Sequence, residues 1–302
     1  MLSILIPVYN FDCVALVKAL HEQCIELTIN FEVLVLDDTS TKFKEENRCL
    51  NALVNCAYIE SDIHFGRAKI RNELGRRAKY DHLLFIDSDA LVDTRDFIQK
   101  YIENKDKAQV VIGGMKYSKT PPKENALRWH YGTEREYQLA SIRNLKPYNS
   151  LISFNIMLRK EVFLKYPFDE GSIDLNKSEY GHEDTLLGLK FKKNLIKVLH
   201  IDNQLVHDYH ETNEGFLSNS LIAVEKYVYN PIFQKSEIVE QIKIFRVFEK
   251  TKSLGLVGIL GLIYERLGKR IKKRLFQPEP PIKLFDLYRL SYLAKIYKKS
   301  RD

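Results

Sequence analysis

Short aliphatic and β-branched runs alternate with stretches of helical period through the first third of the chain. Residues 3–8 (SILIPV), 31–36 (FEVLVL), 57–60, 82–86 and 109–112 read as strands, with helices at 14–27, 42–54, 66–79 and 94–104 between them. The strands are almost continuously apolar instead of alternating, so both of their faces should be covered. That predicts an α/β architecture: a mainly parallel central sheet flanked by helices, with ligands outside the carboxyl ends of its strands. After residue 117 the rhythm changes. Residues 118–149 are polar and aromatic-rich, and they hold the Pro121-Pro122 break and the chain's only tryptophan, Trp129. A strand is expected at 152–158, a helix at 183–193 and a strand at 196–201. From 211 onward the pattern is helical, broken at the proline-rich 277–281.

Charge divides the chain further. Its 302 residues carry a net +7, but residues 221–302 hold 18 Lys or Arg against 8 Asp or Glu, which leaves the first 220 at −3. A large domain with a basic appendage fits this length, and the two parts should have different partners. No run approaches the ~20 apolar residues of a spanning helix. The start, MLSILIPVYN, lacks a basic leading segment and is cut short by Pro7, so it reads as a first strand and not a signal peptide. Cys13, Cys24, Cys49 and Cys56 have no CxxC or metal-finger spacing and read as reduced, mostly buried thiols of a cytoplasmic protein.

Acidic residues punctuate the pattern at strand ends. Asp37 and Asp38 close the second strand; Asp87 and Asp89 close the fourth, within LLFIDSDALV (83–92). Strand ends at one edge of a parallel sheet face one crevice, and carboxylates gathered there require a cation or hydrogen-bond donors. Asp38, followed by Thr39 and Ser40, suits a helix cap or an Asx-turn equally well. In Asp87-Ser88-Asp89 the D-x-D spacing places both carboxylates on one side of an extended segment. Such hard oxygen ligands suit Mg²⁺ or Mn²⁺ shared with phosphate oxygens. GRAKIRN (66–72) opens a helix just before that strand, where anions are favoured; Arg71 can pair with a carboxylate or phosphate, while Lys69, Arg76 and Arg77 suit a solvated face. In YGHEDT (180–185) a glycine turn puts Glu183 and Asp184 in a first helical turn, favourable for acids and suited to a general base. VHDYH (206–210) offers imidazoles as ligands for Mn²⁺.

In order and spacing, ILIPVYN, VLVLDD, GRAKIRN, LLFIDSDA, GHED and the late histidine resemble the family 2 glycosyltransferases of GT-A fold, over roughly residues 1–215. The resemblance implies a GT-A nucleotide-diphospho-sugar transferase fold with a catalytic domain over 1–220. Its nucleotide-binding half would be 1–117 and its acceptor half 118–220, followed by a basic helical region at 221–302. It implies an inverting enzyme that moves a sugar from a nucleotide-sugar, commonly a UDP-sugar, to an acceptor hydroxyl. Position by position, it places Pro7, Tyr9, Asp37, Asp38, Arg71, Asp87 and Ser88 at the nucleotide, and Asp89 and His207 on Mn²⁺ or Mg²⁺. Asp184 would be the catalytic base, and Glu183, His182 and Trp129 would meet the acceptor. Two departures stand out. Many relatives carry a tryptophan and two glycines before the acidic pair, where this chain has Tyr180, Gly181 and His182. They also carry glycine after the second-strand acids, where it has Thr39.

The implied acceptor is a saccharide or lipid-linked saccharide, and the product a bacterial surface polysaccharide or glycolipid. Residues 252–277 (KSLGLVGILGLIYERLGKRIKKRLFQ) are apolar in their first half and basic in their second. Such a segment is either a solvated helix packed on the catalytic domain or an interfacial helix on an anionic leaflet, peripheral on the inner face of the plasma membrane. No nucleic-acid-binding module accompanies the charge. A sugar nucleotidyltransferase shares the α/β half and the acidic metal ligands but carries a glycine-rich basic loop after its first strand; residues 10–20 contain no glycine and only Lys18. An inactive GT-A membrane scaffold conflicts with the joint presence of Asp89, Asp184 and His207.

Overall fold

The computed structural model of the chain describes residues 1–170 and 181–301. Its strands are β1 (Leu2–Val8), β2 (Phe31–Asp37), β3 (Cys56–Glu60), β4 (His82–Ile86), β5 (Ala90–Leu91), β6 (Val110–Ile112), β7 (Met115–Lys116), β8 (Asn155–Arg159), β9 (Val198–His200) and β10 (Leu205–His207). The α-helices are α1 (Val14–Glu26), α2 (Lys44–Arg48), α3 (Arg67–Arg77), α4 (Phe97–Asn104), α5 (Ala126–Tyr131), α6 (Ala140–Arg143) and α7 (Lys160–Lys165). They continue with α8 (Glu183–Lys193), α9 (Asn213–Tyr229), α10 (Ser236–Val239), α11 (Lys243–Ser253), α12 (Val257–Leu275) and α13 (Ile282–Lys299). Among the described residues the chain forms two compact units: 1–118, 137–170 and 186–209 in one, and 119–136, 181–185 and 210–301 in the other.

The first unit is built on a seven-stranded sheet in the order β3-β2-β1-β4-β8-β6-β9. Only β8 runs against its neighbours, pairing antiparallel with β4 and β6. Continuous apolarity in β1 has a direct cause: its side chains feed two cores. Leu2, Ile4 and Ile6 pack with Leu16, Val17 and Leu20 of α1 and Phe97 and Tyr101 of α4. Leu5 points the other way, into a cluster with Ile70 and Leu74 of α3, Phe163 of α7 and Phe191 of α8. At the far side of the sheet, His200 accepts at Nδ1 from the Arg143 guanidinium and meets the Pro147 carbonyl through Nε2, both at 2.8 Å.

A second sheet, β5-β10-β7, went unread in the sequence because strands of two or three residues carry no period. Ala90 and Leu91, the apolar end of LLFIDSDALV, form its edge strand. The helix expected at 42–54 is shorter: α2 gives way to a 3₁₀ turn over Cys49–Ala52. All four cysteines are free; Cys13 and Cys24 are buried, with their thiols pushed up to about 12 by burial, whereas Cys49 is exposed.

The second unit is helical apart from its turns. Leu127 of α5, Phe216 and Leu217 of α9, Ile271 and Leu275 of α12, and Phe285 and Tyr288 of α13 share one core. In α12 the buried residues are Gly261, Gly268, Ile271 and Leu275, with Val257, Leu260, Ile263, Tyr264 and Lys272 partly covered. A Cβ on Gly261 would already meet the Lys295 backbone of α13 at 3.6 Å. Among the described residues no helix is long and apolar enough to cross a membrane.

Candidate active site

The carboxyl edge of the large sheet carries two aspartate pairs and treats them differently. Asp37, the last residue of β2, is fully buried; its Oδ1 accepts from the Ser40 N–H and its Oδ2 from the Tyr58 hydroxyl of β3, both at 2.6 Å. Burial first, then the bond to Asp37, raises the Tyr58 phenol well above its ordinary range, so it stays a neutral donor. Asp38 accepts from the N–H of Phe65 at 2.5 Å and of Gly66 at 3.0 Å, and its Oδ2 lies 3.2 Å from His64 Nδ1. The Asx-type turn therefore belongs to Asp37, while Asp38 fixes the loop that leads into α3. Thr39 holds a left-handed φ of 65°, so the turn is kept here by a β-branched residue at the expense of strain. Tyr9 is exposed, its ring centroid 5.4 Å from that of His64, and Pro7 lies within β1 opposite Leu36.

Asp87 and Asp89 do not lie on an extended segment. The Ala90 N–H donates to the Asp87 carbonyl at 3.2 Å, closing a turn over Ser88 and Asp89, so the period-two argument fails and the carboxylates take different partners. Asp87 pairs with Arg71, which is buried; Arg71 also donates to the Arg67 carbonyl at 2.9 Å and lies 5.8 Å from the Phe168 ring centroid. Asp89 Oδ2 meets His207 Nε2 at 3.0 Å. The small sheet makes that meeting: Ala90 of β5 lies opposite His207 of β10, and the Asp208 N–H donates to the Asp89 carbonyl at 2.7 Å. Burial pushes the Asp89 carboxyl up, but the His207 bond and charge, with Arg67 beyond, outweigh it, and the group ionises below the usual carboxylate range. Phe154, Tyr209 and Tyr117 wall the imidazole at centroid distances of 5.2, 5.5 and 5.8 Å.

Carboxylate oxygen with imidazole nitrogen is a donor set that suits Mg²⁺ or Mn²⁺. Among the described residues no group of three or more His, Cys, Asp or Glu is placed to hold a metal ion, so two protein ligands would leave the remaining positions to water or phosphate.

Glu183 and Asp184 open α8 and belong, with His182 and Trp129, to the second unit. Tyr180 lies outside the described residues. Gly181 has a φ of 102°, and a Cβ there would come 2.7 Å from the Ala223 Cβ, so conformation and space both demand glycine. Its N–H donates to Glu183 Oε2 at 3.1 Å and its carbonyl accepts from Lys226 Nζ at 2.6 Å. His182 follows at a φ of 70°, its ring 5.6 Å from Phe233 and 5.3 Å from Phe245. Burial, then the charge of Lys226, lowers its imidazole to about 4, so it is neutral at pH 7. Trp129 is half-buried in α5, edge-on to His130 at 4.9 Å.

Sequence reasoning did not single out Tyr58, His64, Arg67, Tyr117, Tyr209 or Lys226. Arg67 and Tyr209 sit inside motifs that it did single out, whereas Tyr58 and Lys226 act from elements with no local signal.

The sequence matches the model of a family described as "Glycosyl transferase family 2" over residues 3–166. No curated protein matches it. Among solved structures, the chain is similar to the mannosyltransferase PcManGT from Pyrobaculum calidifontis in complex with GDP-Man and Mn²⁺. The TM-score there is 0.57 at 13% identity, covering 98% of this chain and 86% of that one. Similarity to S. aureus TarS 1–349 in complex with UDP-GlcNAc has a TM-score of 0.53 at 16% identity, covering 99% and 91%. Against the longer S. aureus TarS chain the TM-score is 0.51 at 18% identity over 88% of this chain, which spans only 44% of that protein. These likenesses are of fold, and the fold they share is the GT-A type of α/β sheet flanked by helices. Since the family model takes in more than half of the residues, from within β1 to the end of α7, the chain belongs to glycosyl transferase family 2.

Proposed function

We propose that the chain is an inverting glycosyltransferase that moves a sugar from a nucleotide-sugar, a UDP-sugar before others, to a hydroxyl of a saccharide or lipid-linked saccharide. Its setting would be the synthesis of a bacterial surface polysaccharide or glycolipid. The observation that carries this reading is the 3.0 Å contact of Asp89 with His207, 118 residues away, held by a strand pair at the sheet edge where a donor diphosphate would lie. The nucleotide-sugars named with PcManGT and TarS support a donor of that class, and the Mn²⁺ with PcManGT supports a divalent cation.

Asp89 and His207 would hold Mn²⁺ or Mg²⁺, which when bound neutralises charge on the departing diphosphate as a Lewis acid. Asp87, fixed by Arg71, would bond the ribose, with the Ser88 hydroxyl beside it. Asp37 and Asp38 would face the base between Pro7 and Tyr9; both Asp37 oxygens and Asp38 Oδ1 accept one donor each and keep a lone pair, whereas Asp38 Oδ2 already meets the Gly66 N–H and His64. Asp184 would take the proton of the acceptor hydroxyl as its oxygen attacks the anomeric carbon. The bond from that carbon to the diphosphate oxygen breaks as the new bond forms, so a single displacement inverts the centre. Glu183 and Trp129 would contact the acceptor. His182, neutral and packed between two phenylalanines, is better suited to brace the turn beneath them.

Binding supplies the test. UDP together with Mn²⁺ should raise the thermal midpoint by mass action, and Asp89→Ala should abolish the joint shift. No stabilisation by any nucleoside diphosphate with either cation would sink the donor assignment. An Asp184→Asn protein that binds donor and transfers sugar at the wild-type rate would remove Asp184 as base.

A further inference from the structure

Residues 252–277 end α11 and, after a turn, form α12 (Val257–Leu275), whose two faces differ in character. The face that carries Gly261, Gly268, Ile271 and Leu275 is covered by α13, as a packed helix requires. The opposite face is not. At 3.6 residues per turn, Ile259, Leu262, Arg266, Lys269, Arg270 and Lys273 fall within an arc of about 100°, and all six are exposed.

The composition of that face changes along its length. At the amino-terminal end Ile259 is 58% and Leu262 49% exposed, and the turn before the helix adds Leu254 at 70% and Leu256 at 41%. Single exposed aliphatic residues are ordinary, but here three leucines and an isoleucine lie exposed within one short stretch, 254–262. Between them Gly255 and Gly258 have open space where a Cβ would be. Towards the carboxyl end the same face carries Arg266, Lys269, Arg270 and Lys273, none of which has a carboxylate within 4.0 Å among the described residues. Lys272, off this face, pairs with Glu214, so acidic partners exist nearby and the outward row is left without them. Glu265, at the edge of the arc, is the one acid beside it.

We propose that this face of α12 is a docking surface for an anionic phospholipid leaflet. Leu254, Leu256, Ile259 and Leu262 enter the boundary between headgroups and acyl chains, and the four cations lie against lipid phosphates. A purely solvated face has no use for the leucines, and an apolar interface with a second protein copy would bury a row of like charges against itself. Both ends of the face are satisfied at once by a surface that is anionic outside and apolar beneath. The surface stands independently of the sugar-transfer reading, because vesicle binding requires no turnover.

The experiment uses the full chain with vesicles of phosphatidylcholine alone and of phosphatidylcholine mixed with phosphatidylglycerol, at low and high salt. Binding should favour the anionic vesicles and weaken with salt. Replacing Arg266, Lys269, Arg270 and Lys273 together by serine should lower partitioning about a thousandfold, since each basic residue near the surface contributes roughly five- to sixfold. Ile259→Glu with Leu262→Glu should abolish binding while all four cations remain. These positions are solvent-exposed, and an unchanged thermal midpoint and UDP response would show that the variants fold. Equal binding to both vesicle types would overturn the proposal, and so would binding indifferent to both sets of changes. Concentration-dependent dimerisation abolished by Ile259→Glu would assign the face to a second copy. Retention on a soluble polyanion, unaffected by the glutamates and without vesicle binding, would assign it to nucleic acid; either result refutes the lipid reading.

Discussion

Asp37-Asp38 and Asp87-Ser88-Asp89 close two parallel strands at the same edge of one sheet, yet their carboxylates are held by different kinds of partner. The first pair is gripped mainly by backbone amides and a tyrosine hydroxyl that build the loops after β2 and before α3, with His64 Nδ1 3.2 Å from Asp38 Oδ2 at their edge. The second pair is gripped by Arg71 and His207, side chains brought from elsewhere in the chain. Neutral amides can hold a carboxylate for the life of the fold. An imidazole that touches a carboxylate edge-on can instead share it with a third group. Acids that look alike in sequence thus divide into one pair tied into the loops beside it and one tied to Arg71 and His207.

Substitution should separate these roles. The largest effect is expected at the second pair: Asp89→Ala or His207→Ala should lower transfer by 10³-fold or more while moving the urea midpoint little, as loss of charge stabilisation predicts. If Asp37→Ala produced the same pattern, the division would collapse. Asp37→Ala should instead destabilise by about 2–4 kcal/mol, because the Ser40 N–H and Tyr58 hydroxyl are left buried without an acceptor. Equilibrium urea unfolding measures it.

Histidines extend the contrast. His200 is buried, and burial followed by the neighbouring Arg143 charge lowers it to about 4 against the opposing Pro147 carbonyl bond. The unfolded chain takes up a proton below about pH 6.5 that the folded imidazole refuses. Its contribution is therefore intact above that pH and is lost as pH falls towards 4, at up to about 1.4 kcal/mol per unit. His182 adds a second share of the same sign. Unfolding free energy should fall accordingly between pH 6.5 and 4, and His200→Gln should flatten the slope. The smallest effect is expected at Thr39: glycine at its left-handed φ should stabilise by up to about 1 kcal/mol. A loss on Thr39→Gly would show that the hydroxyl, which donates to the Asp38 carbonyl, matters more than the strain.

The large sheet was legible because burying a strand on both faces writes an unmistakable apolar run, as in β1. Asp89 and His207 were legible as residue types, and their contact is what β5 and β10 supply, although strands this short leave no periodic trace. The D-x-D spacing does not produce the geometry that alternation predicts, because the Ala90 N–H to Asp87 carbonyl bond closes a turn there. Lys226 was beyond reach altogether, since a lysine in an amphipathic helix looks the same whether it meets water or the carbonyl of Gly181.

That turn also sets an order of events during synthesis. Every group described as steadying Gly181 and His182 from outside the turn, namely Ala223, Lys226, Phe233 and Phe245, leaves the ribosome after it. The β1–β4 strands find one another early, although Phe163 and Phe191 complete one of their cores later, and the segment bearing Asp184 must wait for about sixty further residues before its footing exists. A chain truncated before Phe245 would thus carry the Gly181 turn without all of the groups that pack on it.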